Sequence, residues 1–371
     1  MSGFFCIEMS EKMKVVLHIA EAFGSGVLNY IKNLSKWQSQ EYQVYIAYGI
    51  RPETPENFKE QFDSNIRFIK VDGFTREIEL FNDIKAFKFI GKIVKEIHPD
   101  LIHLHSTKAG ILGRWAINCN KYNVLYSPHA YSFLMMNCSS FKRSIYRWIE
   151  KISDKKGCLT IADIEGEFEA SKQVTKNAIC IPNGIDTMEM DEIISQAEKI
   201  KTDRQRTTIC MLGKVVPQKN PELFNKIAKK FPDIDFVWIG AGPLEEKLDS
   251  PNIEITGWLT RVRATARIME SDIFLFPSAW ESLSIALLEA MYIGKPCVVS
   301  RVDGNRDVIR PNYNGYVCDT KEEYLFAISD LLGNKKKAEQ YGKQARQDIL
   351  SKYNVNVMEQ EYRVLLSILK I

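Results

Sequence analysis

Two acidic residues stand out in the segment "WESLSIALLEAM", residues 280–291. Glu281 lies at its start and Glu289 lies eight positions later, inside an apolar stretch that is typical of a buried helix. A carboxylate on an apolar helix face is costly to bury unless another group pairs with it. The stretch between the two acids contains no basic residue. Both acids therefore need partners from outside the segment.

The residues around these acids predict an anion site. The run "DIFLFPS" is typical of a strand, and a helix is expected to begin near Ser284, a favourable N-cap residue. The backbone N–H groups of Leu283, Ser284 and Ile285 then lie at the positive end of the helix dipole. Lys214 and Lys219, in "LGKVVPQKNPE", occupy a similar strand-to-helix turn. Taken alone the lysines fit a solvated loop, but together these groups suit a diphosphate.

A second candidate anion site lies in "DLIHLHSTKAG". We expect His103 and His105 to face opposite sides of a strand, with His105 reaching a ligand and His103 packed in the sheet. Lys108 comes next, where a helix begins. A cation beside a helix N-terminus suits a second phosphate.

Other polar or flexible residues follow predicted strands. Gly24 and Gly26 form a tight loop after "KVVLHIA", although two glycines alone are weak evidence for a site. His129, in "SPHAYSF", follows another strand and has a capping role as its alternative. Glu167 lies beyond a further strand, and we expect it to have a supporting role.

Strand patterns alternate with amphipathic helix patterns in two successive series. This α/β alternation predicts two doubly wound parallel sheets. We expect an N-terminal domain over residues 1–186 and a C-terminal domain over 187–352, with a last helix at about 353–371 that packs back on the first domain. The polar stretch 187–207 is predicted to be an exposed helix and linker. Ligands of such sheets bind beyond the carboxyl ends of the strands, so a cleft between the domains is the expected site.

Composition limits the class of protein. The chain has 371 residues, enough for two domains, and a formal net charge of +3 that gives no case for nucleic acid. Eight cysteines lack a C-x-x-C pair and a histidine at zinc spacing, which is typical of reduced thiols in a cytosolic protein. The N-terminus does not resemble a signal peptide. No apolar run approaches the roughly 20 residues of a spanning helix, so we expect a soluble or membrane-surface protein.

One predicted helix has the character of a membrane-surface element. Residues 141–157, "FKRSIYRWIEKISDKKG", contain six basic and two acidic residues with aromatic residues interleaved. Such a helix can lie on anionic lipid headgroups, and "KAFKFIGKIVKEI" at 85–97 could extend the same surface. The alternative is a solvated helix face.

These motifs resemble the retaining glycosyltransferases of family 4, which have the GT-B fold. The resemblance extends over nearly the whole chain and includes "CIPNGID", "GKVVPQKNP", "WIGAGPLEEKL", "TGW" and "FPSAWESLSIALLEAMYIGKPCVVSRVDGNRDVI". It implies that Glu281 accepts hydrogen bonds from the donor sugar and Glu289 from the nucleotide ribose. It also implies that Lys214 and Lys219 hold the donor phosphates. The family usually has arginine at the first of these positions, and lysine lacks its bidentate fork.

The resemblance implies the remaining site residues. His129 would contact the donor sugar near its anomeric centre, and Lys219, Lys214 and Glu281 complete the expected catalytic set. The expected donor-binding residues are Gly24, Gly26, Gly213, Gly240, Gly242, Trp258, Leu259, Ser282, Leu283, Ser284, Ile285 and Glu289. The string "HSTKAG" resembles an element of capsule and O-antigen enzymes, whose acceptors are saccharides on a polyprenyl diphosphate. It implies acceptor contacts by His105, Ser106 and Lys108.

The function expected from these implications is retaining sugar transfer from a nucleotide-sugar, with uridine as the expected base, in capsule, O-antigen or exopolysaccharide synthesis. Catalysis would rest on positioning and electrostatics, with no cofactor and no metal. The pair Asp233 and Asp235 has a metal-binding D-x-D spacing but leads into a strand at its amino end. The expected location is the cytoplasmic face of the cell membrane. The alternatives are a catalytically silent partner that binds a nucleotide-sugar, and a GT-B-fold epimerase or phosphorylase.

Overall fold

The structure is a computed structural model that describes residues 13–51, 54–75, 79–135, 138–202 and 206–371. The predicted absence of a signal peptide concerns residues 1–12, which lie outside the described residues together with Cys6. Residues 203–205 of the predicted linker lie outside them too. The cysteines within the described ranges are free thiols, as predicted.

The first sheet positions the residues of the N-terminal half. Its strands are β1 (Val15–Ala20), β2 (Gln43–Tyr48), β3 (Arg67–Lys70), β4 (Leu101–His105), β5 (Asn123–Ser127), β6 (Leu159–Ala162) and β7 (Ala178–Cys180). Within the described residues their spatial order is β3-β2-β1-β4-β5-β6-β7. β1 pairs in parallel with β2 on one side and β4 on the other. Every residue of β1 and β4 is buried, and all of them except His18, His103 and His105 are apolar.

The second sheet positions the residues of the C-terminal half. Its strands are β8 (Thr208–Leu212), β9 (Asp235–Ile239), β10 (Ile253–Ile255), β11 (Ile273–Phe276), β12 (Cys297–Ser300) and β13 (Gly315–Cys318). Over the described part of the chain they follow the order β10-β9-β8-β11-β12-β13, and all neighbouring pairs are parallel. The carboxyl ends of β8, β9 and β11 therefore lie side by side.

Helices follow most strands. They are α1 (Ser25–Glu41), α2 (Leu80–Ile97), α3 (Thr107–Ala116), α4 (Ser140–Asp154), α5 (Glu165–Ser171), α6 (Thr187–Glu198), α7 (Pro221–Ala228), α8 (Arg261–Met269), α9 (Ile285–Ile293), α10 (Asp303–Val308), α11 (Lys321–Gly333), α12 (Lys335–Lys352) and α13 (Val355–Ile368). This alternation confirms the predicted α/β class with two doubly wound parallel sheets. None of the described helices combines the length and apolarity needed to cross a bilayer.

The described residues group into two compact units. The first extends to Ser127 and includes Ile152–Leu159 and Leu366–Ile371; the second comprises Pro128–Lys151 and Thr160–Leu365. The predicted division after residue 186 and the predicted return of the last helix stay predictions.

Helix α6 corrects the prediction of an exposed helix at the start of the linker. Met190, Ile193 and Ala197 are buried, and Met190 and Ile193 belong to the core of the second unit. Their spacing of three and four residues places them on one helix face. Charged residues on the other faces made the whole segment look solvated.

Candidate active site

Glu281 lies in the loop between β11 and α9 and is bound by side chains of the β8–α7 connection. Its Oε1 is 2.5 Å from the Nζ atom of Lys219, and the two side chains are 6% and 15% exposed. Gln218 donates from Nε2 to Glu281 Oε2 at 3.4 Å and to the Trp280 carbonyl at 3.1 Å. The carboxylate is therefore oriented by its own chain at the carboxyl edge of the sheet.

The loop that carries Glu281 is shaped by a close approach to α10. A Cβ atom on Gly304 would lie 1.1 Å from the Ser282 carbonyl oxygen, so only glycine fits there. The Gly304 N–H donates to the Glu281 carbonyl at 3.3 Å. The sequence analysis did not identify Gly304. Its position in the short segment after a predicted strand could have drawn attention to it.

Helix α9 begins where the sequence predicted. Ser284 is its N-cap residue, although its hydroxyl makes no capping hydrogen bond. Within the described residues, the backbone N–H groups of Leu283, Ser284 and Ile285 have no intrachain acceptor. These three donors lie beside Glu281 at the positive end of the helix. The local arrangement has the character of an anion site.

Glu289 lies in the second turn of α9 and is 7% exposed. Arg261, at the start of α8, donates to Glu289 Oε1 from Nη2 at 2.8 Å and from Nε at 3.1 Å. Arg261 Nη1 also pairs with Glu189 Oε1 at 2.8 Å. Burial raises the pKa of the Glu289 carboxyl, while the Arg261 charge opposes that rise. Because both guanidinium bonds go to Oε1, the second carboxylate oxygen is the one suited to a ligand.

These ion pairs supply the partners that the two acids need from outside their segment, and these partners come from the chain itself. Lys219 comes from the β8–α7 connection and Arg261 from α8, far away in sequence. Neither cation lies between Glu281 and Glu289, so the pattern of that segment could not indicate them. Each acid is compensated by a cation of the chain, and a ligand would have to share or displace that contact.

The two predicted phosphate-binding lysines differ in their surroundings. Lys219 is half-buried, and its Nζ also lies 4.4 Å from the centre of the Phe276 ring. A Cβ on Gly213 would lie 3.2 Å from Lys219 Cε, so this glycine lets the lysine side chain pass closely over the backbone. Lys214 is exposed and has no ion pair within the described ranges. Lys214 is therefore the cation that can bind an anion without losing an intrachain contact.

Two predicted glycines bring the loops after β8 and β9 together. A Cβ on Gly240 would lie 2.3 Å from the Gly213 carbonyl oxygen, and one on Gly242 would lie 2.4 Å from the Val215 carbonyl oxygen. Gly240 has a φ of +138°, a conformation that favours glycine. The backbones after these neighbouring strands therefore lie in direct contact.

The predicted base-binding pair follows β10. Trp258 is 70% exposed, and Leu259 is half-buried against the core of the second unit. An exposed tryptophan at a carboxyl strand end is available to stack on a ring. Its role in base binding stays a prediction.

His129 follows β5 and belongs to a buried cluster of the second unit. Its Nδ1 lies 2.6 Å from Asp163 Oδ2. Burial lowers the pKa of His129, but the carboxylates of Asp163 and Glu167 outweigh that effect and raise it above its usual value. Burial and the neighbouring Asp163 raise the pKa of Glu167 to about 7. Glu167, for which the sequence suggested a supporting role, therefore lies beside His129.

The first unit places the loop of Gly24 and Gly26 at the start of α1. Gly24 is the N-cap residue and donates its N–H to the Ala22 carbonyl at 3.0 Å. A Cβ on Gly26 would meet no atom within 4 Å. The loop follows β1 as predicted, and its approach to a donor stays a prediction.

The prediction for His103 and His105 is wrong in its geometry. Their ring centroids lie 4.0 Å apart, and both side chains are fully buried. Side chains alternate along a strand with a period of two, so residues two apart share a face. His105 is therefore packed in the sheet like His103, and its ring is not exposed to an acceptor in this structure.

The ring of His18 in β1 lies close to both of these rings and is hydrogen-bonded to that of His105. Its Nδ1 lies 3.0 Å from His105 Nε2, and its Nε2 lies 2.8 Å from Gln38 Oε1. His103 Nε2 lies 2.9 Å from the Ser127 hydroxyl. Burial lowers the pKa of His18 to about 4, so its ring is neutral. Within the described residues the three rings form the one group close enough to share a metal, but each ring already has a hydrogen-bond partner within the protein.

The predicted acceptor residues beyond His105 start α3. Ser106 has a φ of +74°, which is uncommon for a residue other than glycine. Within the described residues the buried hydroxyls of Ser106 and Thr107 make no hydrogen bond. Lys108 pairs with Asp83 at 2.6 Å and donates to the Thr75 carbonyl at 2.8 Å. The predicted cation is present, but its charge is already compensated by Asp83.

The D-x-D pair lies where the sequence predicted. Asp235 is the first residue of β9, at the amino end of the sheet, and pairs with Arg206 at 3.1 Å. Asp233 is exposed. This pair is remote from the edge that carries Glu281.

Two family models match adjacent parts of the chain. The model described as Glycosyltransferase Family 4 matches residues 24–189. The model described as Glycosyl transferases group 1 matches residues 192–348. Together they cover both sheets except for β1 (Val15–Ala20).

Curated relatives share moderate identity with the chain. UDP-Gal:alpha-D-GlcNAc-diphosphoundecaprenol alpha-1,3-galactosyltransferase of Escherichia coli is 29% identical over 288 residues, covering 70% of this chain and 73% of the relative. An uncharacterized 41.2 kDa protein in the cps region of Klebsiella pneumoniae is 29% identical, covering 83% and 86%. N,N'-diacetylbacillosaminyl-diphospho-undecaprenol alpha-1,3-N-acetylgalactosaminyltransferase of Campylobacter jejuni is 23% identical, covering 81% and 85%.

Solved structures share the fold at low identity. Sucrose-phosphate synthase from Thermosynechococcus elongatus superposes with a TM-score of 0.76 at 16% identity, covering 95% of this chain and 99% of that one. Anabaena HepE, in complex with UDP and glucose, superposes with a TM-score of 0.76 at 15% identity and the same coverage. The likeness supports the architecture of two parallel-sheet domains.

Proposed function

Because the chain belongs to the glycosyltransferases of the GT-B fold, with a family 4 region followed by a group 1 region, we propose that it transfers a sugar from a UDP-linked donor to a saccharide carried on a lipid diphosphate. The observation that carries the proposal is the cluster at the carboxyl edge of the second sheet. There Glu281 and Lys219 lie on neighbouring connections, and the N–H groups at the start of α9 and Glu289 in its second turn follow directly.

The cluster offers complementary groups for the parts of a nucleotide-sugar. Lys214, Lys219 and the start of α9 would hold the diphosphate, since cations and a helix N-terminus both favour negative charge. Glu289 would accept hydrogen bonds from the ribose through Oε2 while Arg261 keeps Oε1. Glu281 would accept from the sugar hydroxyls, sharing its carboxylate with Lys219.

The proposed chemistry is transfer with retention of anomeric configuration and without a metal. The leaving phosphate would accept the proton of the acceptor hydroxyl as the new bond forms on the same face of the sugar. Lys214 and Lys219 would stabilise the charge that develops on the leaving diphosphate. His129 would orient the sugar near its anomeric carbon. Preorganised groups of this kind lower the barrier because they need little reorganisation during the reaction.

The acceptor class comes from the relatives and from α3. The names of the Escherichia coli and Campylobacter jejuni relatives both specify saccharides on diphospho-undecaprenol. In this chain, Ser106 and Lys108 flank the start of α3, where a helix N-terminus can accept a phosphate. For Lys108 to contribute, the acceptor diphosphate would have to compete with Asp83.

Two surfaces support contact with a membrane that holds such an acceptor. On α4, Phe141 and Trp148 are 76% and 62% exposed, among basic residues. On α2, Leu80 and Phe81 are 72% and 84% exposed. We propose that the protein lies peripherally on the cytoplasmic face of the membrane. Co-sedimentation with anionic vesicles would test this, with a Trp148→Ser variant expected to bind more weakly; equal binding of both proteins would contradict it.

The test of the function is a transfer assay with the purified chain. A panel of nucleotide-sugars is incubated with and without a synthetic saccharide on a lipid diphosphate, and product is followed by mass spectrometry. The proposal predicts donor consumption only when acceptor is present, activity in excess EDTA, and an anomeric configuration equal to that of the donor. Donor binding without transfer to any acceptor would favour a silent partner, and conversion of donor alone would favour an epimerase.

A further inference from the structure

The residues around His129 form an arrangement that neither the family models nor the motifs assign. Asp163, which directly follows β6, is 4% exposed and lies 2.6 Å from His129 Nδ1 through Oδ2. Glu167 of α5 is 3% exposed. Its Oε1 accepts from the Ala130 N–H at 2.7 Å, and its Oε2 accepts from the Asp163 N–H at 3.0 Å. One carboxylate thus ties together the two segments that carry the histidine and its partner.

The backbone of His129 and Ala130 has an unfavourable conformation that neighbouring contacts must stabilise. His129 and Ala130 have φ values of +51° and +81°, and neither is glycine. Consecutive non-glycine residues in this region are unfavourable and persist only when surrounding contacts hold them. The bond from Ala130 to Glu167 is one such contact, because it fixes the strained peptide directly after the histidine.

The same cluster is connected to the loop of Glu281. Asp307 of α10 accepts from the Gly166 N–H, at the start of α5, at 2.7 Å. Gly304, in the same short helix, contacts the backbone of Ser282. Helix α10 therefore touches both the element that carries Glu167 and the loop that carries Glu281. A displacement of α5 would therefore act on the loop of Glu281 through α10, and the reverse also holds.

We propose that Asp163 is a positioning residue that fixes the tautomer and direction of the His129 ring, and that Glu167 fixes the backbone on which this ring is mounted. The proposal rests on the proposed function for the identity of the reaction. Where Asp163 Oδ2 accepts the His129 Nδ1–H, Nε2 is the nitrogen through which the ring meets a substrate. The charged groups that face His129 within this cluster are Asp163 and Glu167.

The first readout is the tautomer of His129, which does not depend on activity. The sequence has five histidines, so imidazole ¹⁵N spectra are simple, and a His129→Gln sample assigns the signal. The wild-type protein is expected to carry its proton on Nδ1 at high pH. In Asp163→Asn the pKa of His129 is expected to fall, because the partner loses its charge. A wild-type ring with its proton on Nε2, or an unchanged pKa in the variant, would overturn the proposal.

The second readout is transfer kinetics. Asp163→Asn is expected to lower kcat between about 10-fold and 150-fold, the equivalent of one hydrogen bond to a charged group, with donor KM changed less than about threefold. Asp235→Asn is the matched control and should behave as wild type. Asp235 lies at the amino edge of the second sheet, opposite the edge that carries Glu281. An unchanged kcat in Asp163→Asn would refute the positioning role. If the wild-type chain transfers no sugar, the proposed function fails, while the tautomer still decides the role of Asp163.

Discussion

Replacement of Glu289 by alanine separates a ligand-binding role from a purely structural one. A carboxylate that accepts from a ribose diol makes hydrogen bonds to a charged group, each worth about 1.5–3 kcal/mol. Losing roughly 3 kcal/mol corresponds to a donor affinity about 150-fold weaker. The structural effect should be small, because Arg261 is 39% exposed and keeps Glu189 as its partner. Glu289 itself is buried, but its removal leaves behind only the solvent-exposed charge of Arg261, so the expected loss is about 1 kcal/mol, as for a surface pair, and not that of an uncompensated buried charge.

The assay is calorimetric titration of UDP and of the UDP-linked donor, together with thermal unfolding. Glu189→Ala is the matched control, because it removes the other acid bound to Arg261 without touching Glu289. We expect Glu289→Ala to weaken binding about 100-fold or more, and Glu189→Ala to change it less than threefold. Unchanged affinity in Glu289→Ala, with a loss of stability of several kcal/mol, would refute the reasoning and leave Glu289 as a structural partner of Arg261.

Three further changes test the surrounding structure. Gly304→Ala should lower transfer at least tenfold by displacing the loop of Glu281, whereas Gly333→Ala, where a Cβ meets no atom within 4 Å, should be neutral; equal activities would contradict this. Lys219→Met should weaken donor binding and lower the melting temperature by leaving Glu281 without its cation. Adding Glu281→Gln should restore the melting temperature but not binding, and recovery of both would count against the donor site. For His18, the folded pKa of about 4 lies below the unfolded value near 6.5, so the unfolded chain binds more protons between these values and stability falls as pH falls. The free energy of unfolding should drop by about 2 kcal/mol more from pH 7 to pH 5 in wild type than in His18→Gln, as measured by urea denaturation; parallel pH dependence would disprove it.

Local pattern predicted the architecture and the position of the site loops. Apolar β-branched runs followed by amphipathic stretches predicted both parallel sheets, because the periods of strands and helices are visible in the sequence. The same patterns placed Ser284 at a helix start and Lys219 in a turn after β8. The site residues themselves remain predictions until a donor is bound.

What sequence could not predict depends on distances in space. Lys219 and Arg261 compensate Glu281 and Glu289 from other elements, and nothing in the segment of the two acids indicates them. Gly304 matters because a carbonyl from another loop lies against it. Such contacts arise from tertiary packing and have no local period.

Two errors had local causes. The period of two places His103 and His105 on one face, and the register of β1 with β4 adds His18 opposite His103. In α6, an apolar stripe was obscured by the many charges around it. Asp163 was also missed, although an acid directly after a buried strand is a signal that could have drawn attention to it.

The most direct test of the account is a crystal structure of the protein with its nucleotide-sugar, or with UDP, bound. The account predicts ribose hydroxyls within about 3 Å of the Glu289 carboxylate. It also predicts the diphosphate at the start of α9 beside Lys219, with sugar hydroxyls at Glu281. A nucleotide bound elsewhere, with Glu281 and Glu289 still paired only with Lys219 and Arg261, would contradict it.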